Sequence, residues 1–152
     1  MTRAAVWIAT AGGAGYAPIA PGTAGSAVGV VIYLLTSAWS LQAQALLVIA
    51  VTLIGVWAST LAAAHFGKDD PSPVVIDEVA GQLVTCFATG VALPGAIVGF
   101  FLFRALDIIK PWPANKLESL HGGLGIMADD VMAAVYGNVL LLVAMRIWPG
   151  VL

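Results

Sequence analysis

The sequence predicts an all-α protein, a compact multi-helix membrane bundle of about five short helices with an interfacial helix at its N-terminus. Three observations carry this expectation. Of 152 residues, 61% are hydrophobic and only 9% are charged, against about 25% charged in an average soluble domain. Mean hydropathy is +0.99. The uncharged residues also form runs: no Asp, Glu, Lys, Arg or His lies between Arg3 and His65, within Val79–Phe103 or within Val131–Met145. A membrane span needs roughly 20 apolar residues, and a cleaved leader does not explain apolar character that recurs to the C-terminus. So few charges could hardly coat a surface facing water. The length suits one domain over residues 1–152. A net charge of −2 provides no basic field for nucleic acid, and the single cysteine, Cys86, excludes an internal disulfide.

Residues 1–11 read as the interfacial helix, with Trp7 at headgroup depth. Gly12 to Ser26 is rich in Gly and Pro and reads as a loop, in which Thr23 or Ser26 caps the helix that follows. Its backbone N–H groups can hold an anion, or the loop is a plain connector. The first membrane helix is expected from Ala27 to about Ala38, and Gln42 and Gln44 mark a turn. Ala45 to Ala64 is the second helix, with Gly55, Ala58, Ser59 and Ala62 on a closely packed face. After a polar loop from His65 to Glu78, the third helix covers Val79 to Leu93. A turn is expected at Pro94-Gly95, and the fourth helix runs from Ala96 to Ile109. After a connector over 110–128, Asp129-Asp130 opens the last helix, which ends near Trp148. The helices form antiparallel hairpins, which puts the charged loop after the second helix and the charged end of the fourth at one face. Lys68, Lys110 and Lys116 make that face cytoplasmic, while Arg146 falls on the other side. Helices of this length are re-entrant or thin the bilayer.

The ionisable groups make one constellation. Asp77-Glu78 and Asp129-Asp130 each precede an apolar run, where negative charge complements a helix start. Four carboxylates converging at a membrane edge would repel unless a cation joined them, and oxygen donors without a Cys or His cluster favour Mg²⁺. Arg104 and Asp107, at i and i+3, share a helix face, with Lys110 about one turn further on. They form either an internal salt bridge or a phosphate clamp. His121, in a glycine-rich segment, can donate to a phosphate or move a proton. Cys86 has no phosphate loop after it, and no short Asp-x-Asp motif supports an aspartyl-phosphate.

These motifs resemble the phosphatidylglycerophosphatase A family of bacterial membrane enzymes. The matching pieces are the loop Gly15–Ser26 with Pro21-Gly22-Thr23, Asp77-Glu78 with Gly81, and Arg104 with Asp107 and Lys110-Pro111-Trp112-Pro113. His121-Gly122-Gly123 and Gly125-Ile126-Met127 with Asp129-Asp130 complete the set. They occur in order over nearly the full length, although Ala134 stands where relatives often show glycine. Placement in the cytoplasmic membrane with the site facing the cytoplasm is expected from the uncharged runs and the lysines; the resemblance implies Mg²⁺-dependent hydrolysis of phosphatidylglycerophosphate to phosphatidylglycerol and phosphate in a bacterium. It implies Asp77, Glu78, Asp129 and Asp130 as metal ligands, Arg104 and Lys110 as phosphate-binding and catalytic groups, and Asp107 as a metal ligand or partner of Arg104. Thr23, Ser26 and His121 are the further substrate-binding candidates. The rival readings are a small transport protein, which predicts charge at mid-span and internal symmetry, and a non-catalytic protein that binds anionic lipid.

Overall fold

The computed structural model describes residues 2–149; Met1 and residues 150–152 of the expected domain lie outside the described part. The described residues form seven α-helices and one 3₁₀ segment: α1 (Thr2–Ala9), the 3₁₀ segment (Ala11–Tyr16), α2 (Pro21–Thr36), α3 (Leu41–Phe66), α4 (Ile76–Cys86), α5 (Leu93–Ile109), α6 (Ala114–Leu117) and α7 (Gly123–Ile147). The all-α expectation holds. The helices are more unequal than expected, with α3 of 26 and α7 of 25 residues against 11 for α4.

Helix α2 starts at Pro21, inside the stretch expected to be a loop. Proline suits a first helical turn, because its fixed φ is already helical and its missing N–H has no partner to lose there. Neither Thr23 nor Ser26 caps the helix: the N-cap is Ala20, in the left-handed region at φ 50°, and the Ser26 hydroxyl donates to the Gly22 carbonyl at 3.0 Å. The glycines are tolerated because they let α2 lie directly on α4. A Cβ built on Gly25 would stand 2.7 Å from Val75 Cβ, and one on Gly29 would stand 2.6 Å from Gln82 Cβ. Each glycine forgoes about 1 kcal/mol of helix propensity, which the close contact offsets. Gly25→Ala is therefore expected to destabilise the fold by about 1–3 kcal/mol through overpacking. Denaturant unfolding in detergent checks this, and an unchanged midpoint would show that α2 shifts freely.

Helix α3 begins at Leu41 rather than Ala45, because Ser40 caps it by accepting the Ala43 N–H at 3.3 Å. Gln44 thus sits in the first turn and donates back to the carbonyls of Ser37 and Trp39. The expected inner face is present: Gly55, Ala58, Ser59 and Ala62 are all buried. The turn expected at Pro94-Gly95 lies earlier, between Cys86 and Leu93, and Pro94 is in the first turn of α5. Helix α4 is shorter in consequence. Its open end is closed by Asn138 of α7, whose amide donates to the carbonyls of Thr85 and Phe87 at 3.0 and 2.8 Å. Helix α7 starts at Gly123, whose N–H donates to Thr60 Oγ1 at 3.0 Å. A side chain at Gly123 would run into the Val56 carbonyl of α3. Asp129 and Asp130 consequently lie beyond the first turn, and helix-start electrostatics does not account for them.

Helices α2, α3, α4, α5 and α7 alternate in direction, with α4 touching α2, α3, α5 and α7. The starts of α2, α4 and α7 and the end of α5 meet at one pole. Among the described residues two helices, α3 and α7, are long and apolar enough to cross a membrane, judged by length and composition. Their outward faces are apolar: Leu46, Ile49, Leu53, Ile54 and Trp57 of α3, and Val135, Val139, Leu142 and Val143 of α7, are exposed.

Candidate active site

These helix ends enclose a cavity of about 560 Å³. Asp77 and Glu78 enter it from the first turn of α4, Arg104 and Asp107 from the last turns of α5, and Asp129 and Asp130 from α7. Lys110 follows α5 in a left-handed conformation, φ 45°. That conformation ends the helix, and the Lys110 ammonium reaches across to α7, 2.6 Å from Asp129 Oδ2. The segment 118–122 and the loop residues Asp69, Asp70 and Ser72 complete the wall.

Asp77, Glu78 and Asp130 form the centre, each offering an oxygen within 4.8 Å of the others'. Asp77 is 8% exposed and Asp130 only 3%. Asp77 Oδ1, Glu78 Oε2, Asp129 Oδ1 and Asp130 Oδ2 are buried without a hydrogen-bond partner. Burial, and then the neighbouring charges of Glu78 and Asp130, hold the Asp77 carboxyl well above the usual carboxylate range. Burial also raises Glu78, against the opposing effects of its hydrogen bond with Asp77 and the charge of Arg104. Buried carboxylates at such distances, with oxygens left unpaired, fit a hard divalent cation. Among the described residues no imidazole or thiolate joins the cluster.

Two cations flank the acids. Arg104 Nη1 lies 2.6 Å from Asp107 Oδ2 and 3.4 Å from Glu78 Oε1, so the expected i, i+3 pair forms and extends to a second carboxylate. Lys110 Nζ, beside Asp129, is also 3.5 Å from Glu118 Oε1. Burial works against its charge, but the hydrogen bond and charge of Asp129 outweigh this and raise its pKa above the usual lysine value.

Asp77, Glu78, Arg104, Asp107, Lys110, His121, Asp129 and Asp130 are thus brought to one cavity. Thr23 and Ser26 are not: Thr23 is exposed and Ser26 is buried within α2, and neither lines it. Asp129 stands apart from the central triple, because successive helix residues point about 100° apart and Lys110 draws it aside. Sequence reasoning missed Gly22, Asp70 and Glu118 as wall residues. Gly22 carried a signal in its Pro-Gly-Thr setting: a side chain there would collide with Glu78 and stand 3.0 Å from both terminal nitrogens of Arg104. Glu118 gave none, since it meets Lys110 only through the fold of the connector.

A carboxylate cluster beside a guanidinium and an ammonium suits the handling of a phosphate group, and comparison with known proteins places the chain among phosphatases. The chain belongs to the phosphatidylglycerophosphatase A family, whose sequence profile matches residues 7–145. It is 35% identical to phosphatidylglycerophosphatase A of Escherichia coli, covering 90% of this chain and 81% of that protein. The Haemophilus influenzae protein of the same name is 32% identical, over 90% and 85%. A Bacteroides thetaiotaomicron protein provisionally named phosphatidylinositol-3-phosphatase is 38% identical, over 91% and 92%. No solved structure matches the chain.

Proposed function

We propose that this protein hydrolyses the terminal phosphomonoester of phosphatidylglycerophosphate, giving phosphatidylglycerol and phosphate, with Mg²⁺ bound at the cavity. The observation that carries this reading is the convergence of Asp77, Glu78 and Asp130 with unpaired oxygens, beside Arg104 and Lys110. The family and the names of the Escherichia coli and Haemophilus influenzae relatives favour the lipid. In this reading α3 and α7 span the bacterial cytoplasmic membrane, and the cavity faces the cytoplasm at headgroup depth. The apolar outer faces of both helices support it. So do Ile19, Ile108, Ile109 and Trp112, which are exposed around the catalytic pole, where aromatic and apolar groups meet headgroups. Lys68, Lys110 and Lys116 belong to that pole and favour the cytoplasmic side. Charges gathered at one end, rather than at mid-span, favour the enzyme over the transport reading.

In the reaction a water oxygen bonds to phosphorus while the bond from phosphorus to the glycerol oxygen breaks; water loses a proton and the glycerol oxygen gains one. Asp77, Glu78 and Asp130 would hold the cation. When bound there it supplies a Lewis acid that withdraws charge from the phosphate and lowers the pKa of water. Arg104, steadied by Asp107, and Lys110, steadied by Asp129, present positive charge to the phosphoryl oxygens as their charge redistributes. His121, on the exposed rim, donates to the phosphate or to the leaving oxygen. The two acyl chains remain in the bilayer beside the bundle.

Phosphate release by the purified protein tests this, with phosphatidic acid and phosphatidylinositol 3-phosphate as competing substrates. Chelation is expected to cut turnover of phosphatidylglycerophosphate at least about a hundred-fold, with recovery on adding Mg²⁺. Turnover that persists in chelator would remove the metal from the mechanism. Absence of release from all three lipids would favour a non-catalytic anionic-lipid-binding protein.

A further inference from the structure

The molecule holds a second cavity of similar size, about 530 Å³, away from the acids. Its wall is made by Arg3, Val6, Trp7 and Thr10 of the N-terminal segment, Tyr16, and His65 from the last turn of α3. Arg3 and His65 are the two residues that bracket the long uncharged stretch of the sequence, and the packing of α1 against α3 brings them to one site. Among the described residues no carboxylate lies within salt-bridge distance of Arg3. The aromatic walls are open, Trp7 at 66% and Tyr16 at 58% exposure. Gly12, at φ 68°, passes beside the Trp7 ring: an added Cβ would be in ordinary contact with Trp7 Cζ2, at 3.4 Å.

We infer that this cavity binds the phosphate-bearing headgroup of an anionic bilayer phospholipid that is not being turned over. An unpaired guanidinium makes forked hydrogen bonds to a phosphate diester. Trp and Tyr rings favour headgroup depth, and His65 at the end of α3 fixes that depth in the membrane placement proposed above, on which the inference rests. Nothing here resembles the catalytic centre. Among the described residues no acid lines the cavity, so they offer no carboxylate to a divalent cation, and the site binds without hydrolysing.

The test uses the full chain with Trp39, Trp57, Trp112 and Trp148 replaced by phenylalanine, leaving Trp7 as the reporter; all four are exposed. In neutral detergent, brominated phosphatidylglycerol and brominated phosphatidylcholine are titrated and quenching of Trp7 is read, with helicity checked by circular dichroism. Phosphatidylglycerol is expected to quench at a several-fold lower concentration. Arg3→Gln is expected to reduce that preference by about five-fold, the scale of one basic residue near an anionic surface. Equal quenching by both lipids, or a preference unchanged in Arg3→Gln, overturns the inference. Phosphate release from phosphatidylglycerophosphate, measured on the chain with all five tryptophans and on Arg3→Gln in that chain, reports separately on the hydrolase reading. Arg3→Gln with full turnover and lost lipid preference supports both.

Discussion

Asp130→Asn is expected to lower phosphate release by at least about a hundred-fold while leaving the protein folded. The side chain is 3% exposed and shares its site with Asp77 and Glu78; the amide keeps its volume but replaces an anionic oxygen donor with a poorer one. A second readout separates loss of a metal ligand from general damage. Mg²⁺ bound only by the native state raises unfolding temperature with concentration, and this rise should vanish in Asp130→Asn. In chelator the variant should be at least as stable as the parent, because one of several mutually repelling buried carboxylates is gone. An undiminished Mg²⁺ shift in Asp130→Asn would take this residue out of the metal site. Asp129→Asn provides the contrast: Asp129 is bound to Lys110 and lies outside the triple, so the variant should keep most of the Mg²⁺ shift while losing activity through a displaced Lys110.

Arg104→Lys is the second large effect, with kcat/KM expected to fall about ten- to a hundred-fold at nearly constant charge. The guanidinium of Arg104 touches Asp107 and Glu78 together. An ammonium is a point charge that cannot hold both and also face a phosphoryl group. Arg104→Ala should be worse for the fold than for this comparison. Side chains of Arg104, Glu78 and Asp107 are 17%, 13% and 12% exposed, and removing one partner of a largely buried ion cluster costs about 3–5 kcal/mol. Adding Asp107→Ala should recover part of that loss. Steady-state kinetics on Arg104→Lys with unfolding curves on both alanine variants would decide; wild-type turnover by Arg104→Lys would reduce the arginine to a strut.

The charge pattern made much of this legible. Uncharged runs gave the helical class, alternation of direction followed from short connections, and that alternation carried the acids to one pole. The i, i+3 spacing of Arg104 and Asp107 foretold their pair. Helix starts were not legible, for one physical reason. Gly22, Gly25, Gly123 and Gly125 have poor helix propensity and look like loop residues, yet each is buried in a helix where close packing outweighs propensity. Pro94 misled in the opposite sense, since it begins α5 rather than ending α4. The same errors placed Asp129-Asp130 at a helix start and left Thr23 and Ser26 as ligand candidates. The place of Glu118 beside Lys110 depends on a long-range fold that local pattern does not encode.

Asn138 gives the bundle a property that length alone would deny it. By donating its amide to the last carbonyls of α4, it lets that helix stop among its neighbours after 11 residues; in the membrane placement proposed above, those carbonyls would otherwise stand bare in hydrocarbon. In the same placement, stretching or thinning of the bilayer bears on α3 and α7; it reaches Asp130 through α7, but Asp77 and Glu78, on the short α4, only through their neighbours. Two of the three central acids are thereby carried by a helix that need not follow the thickness of a bilayer.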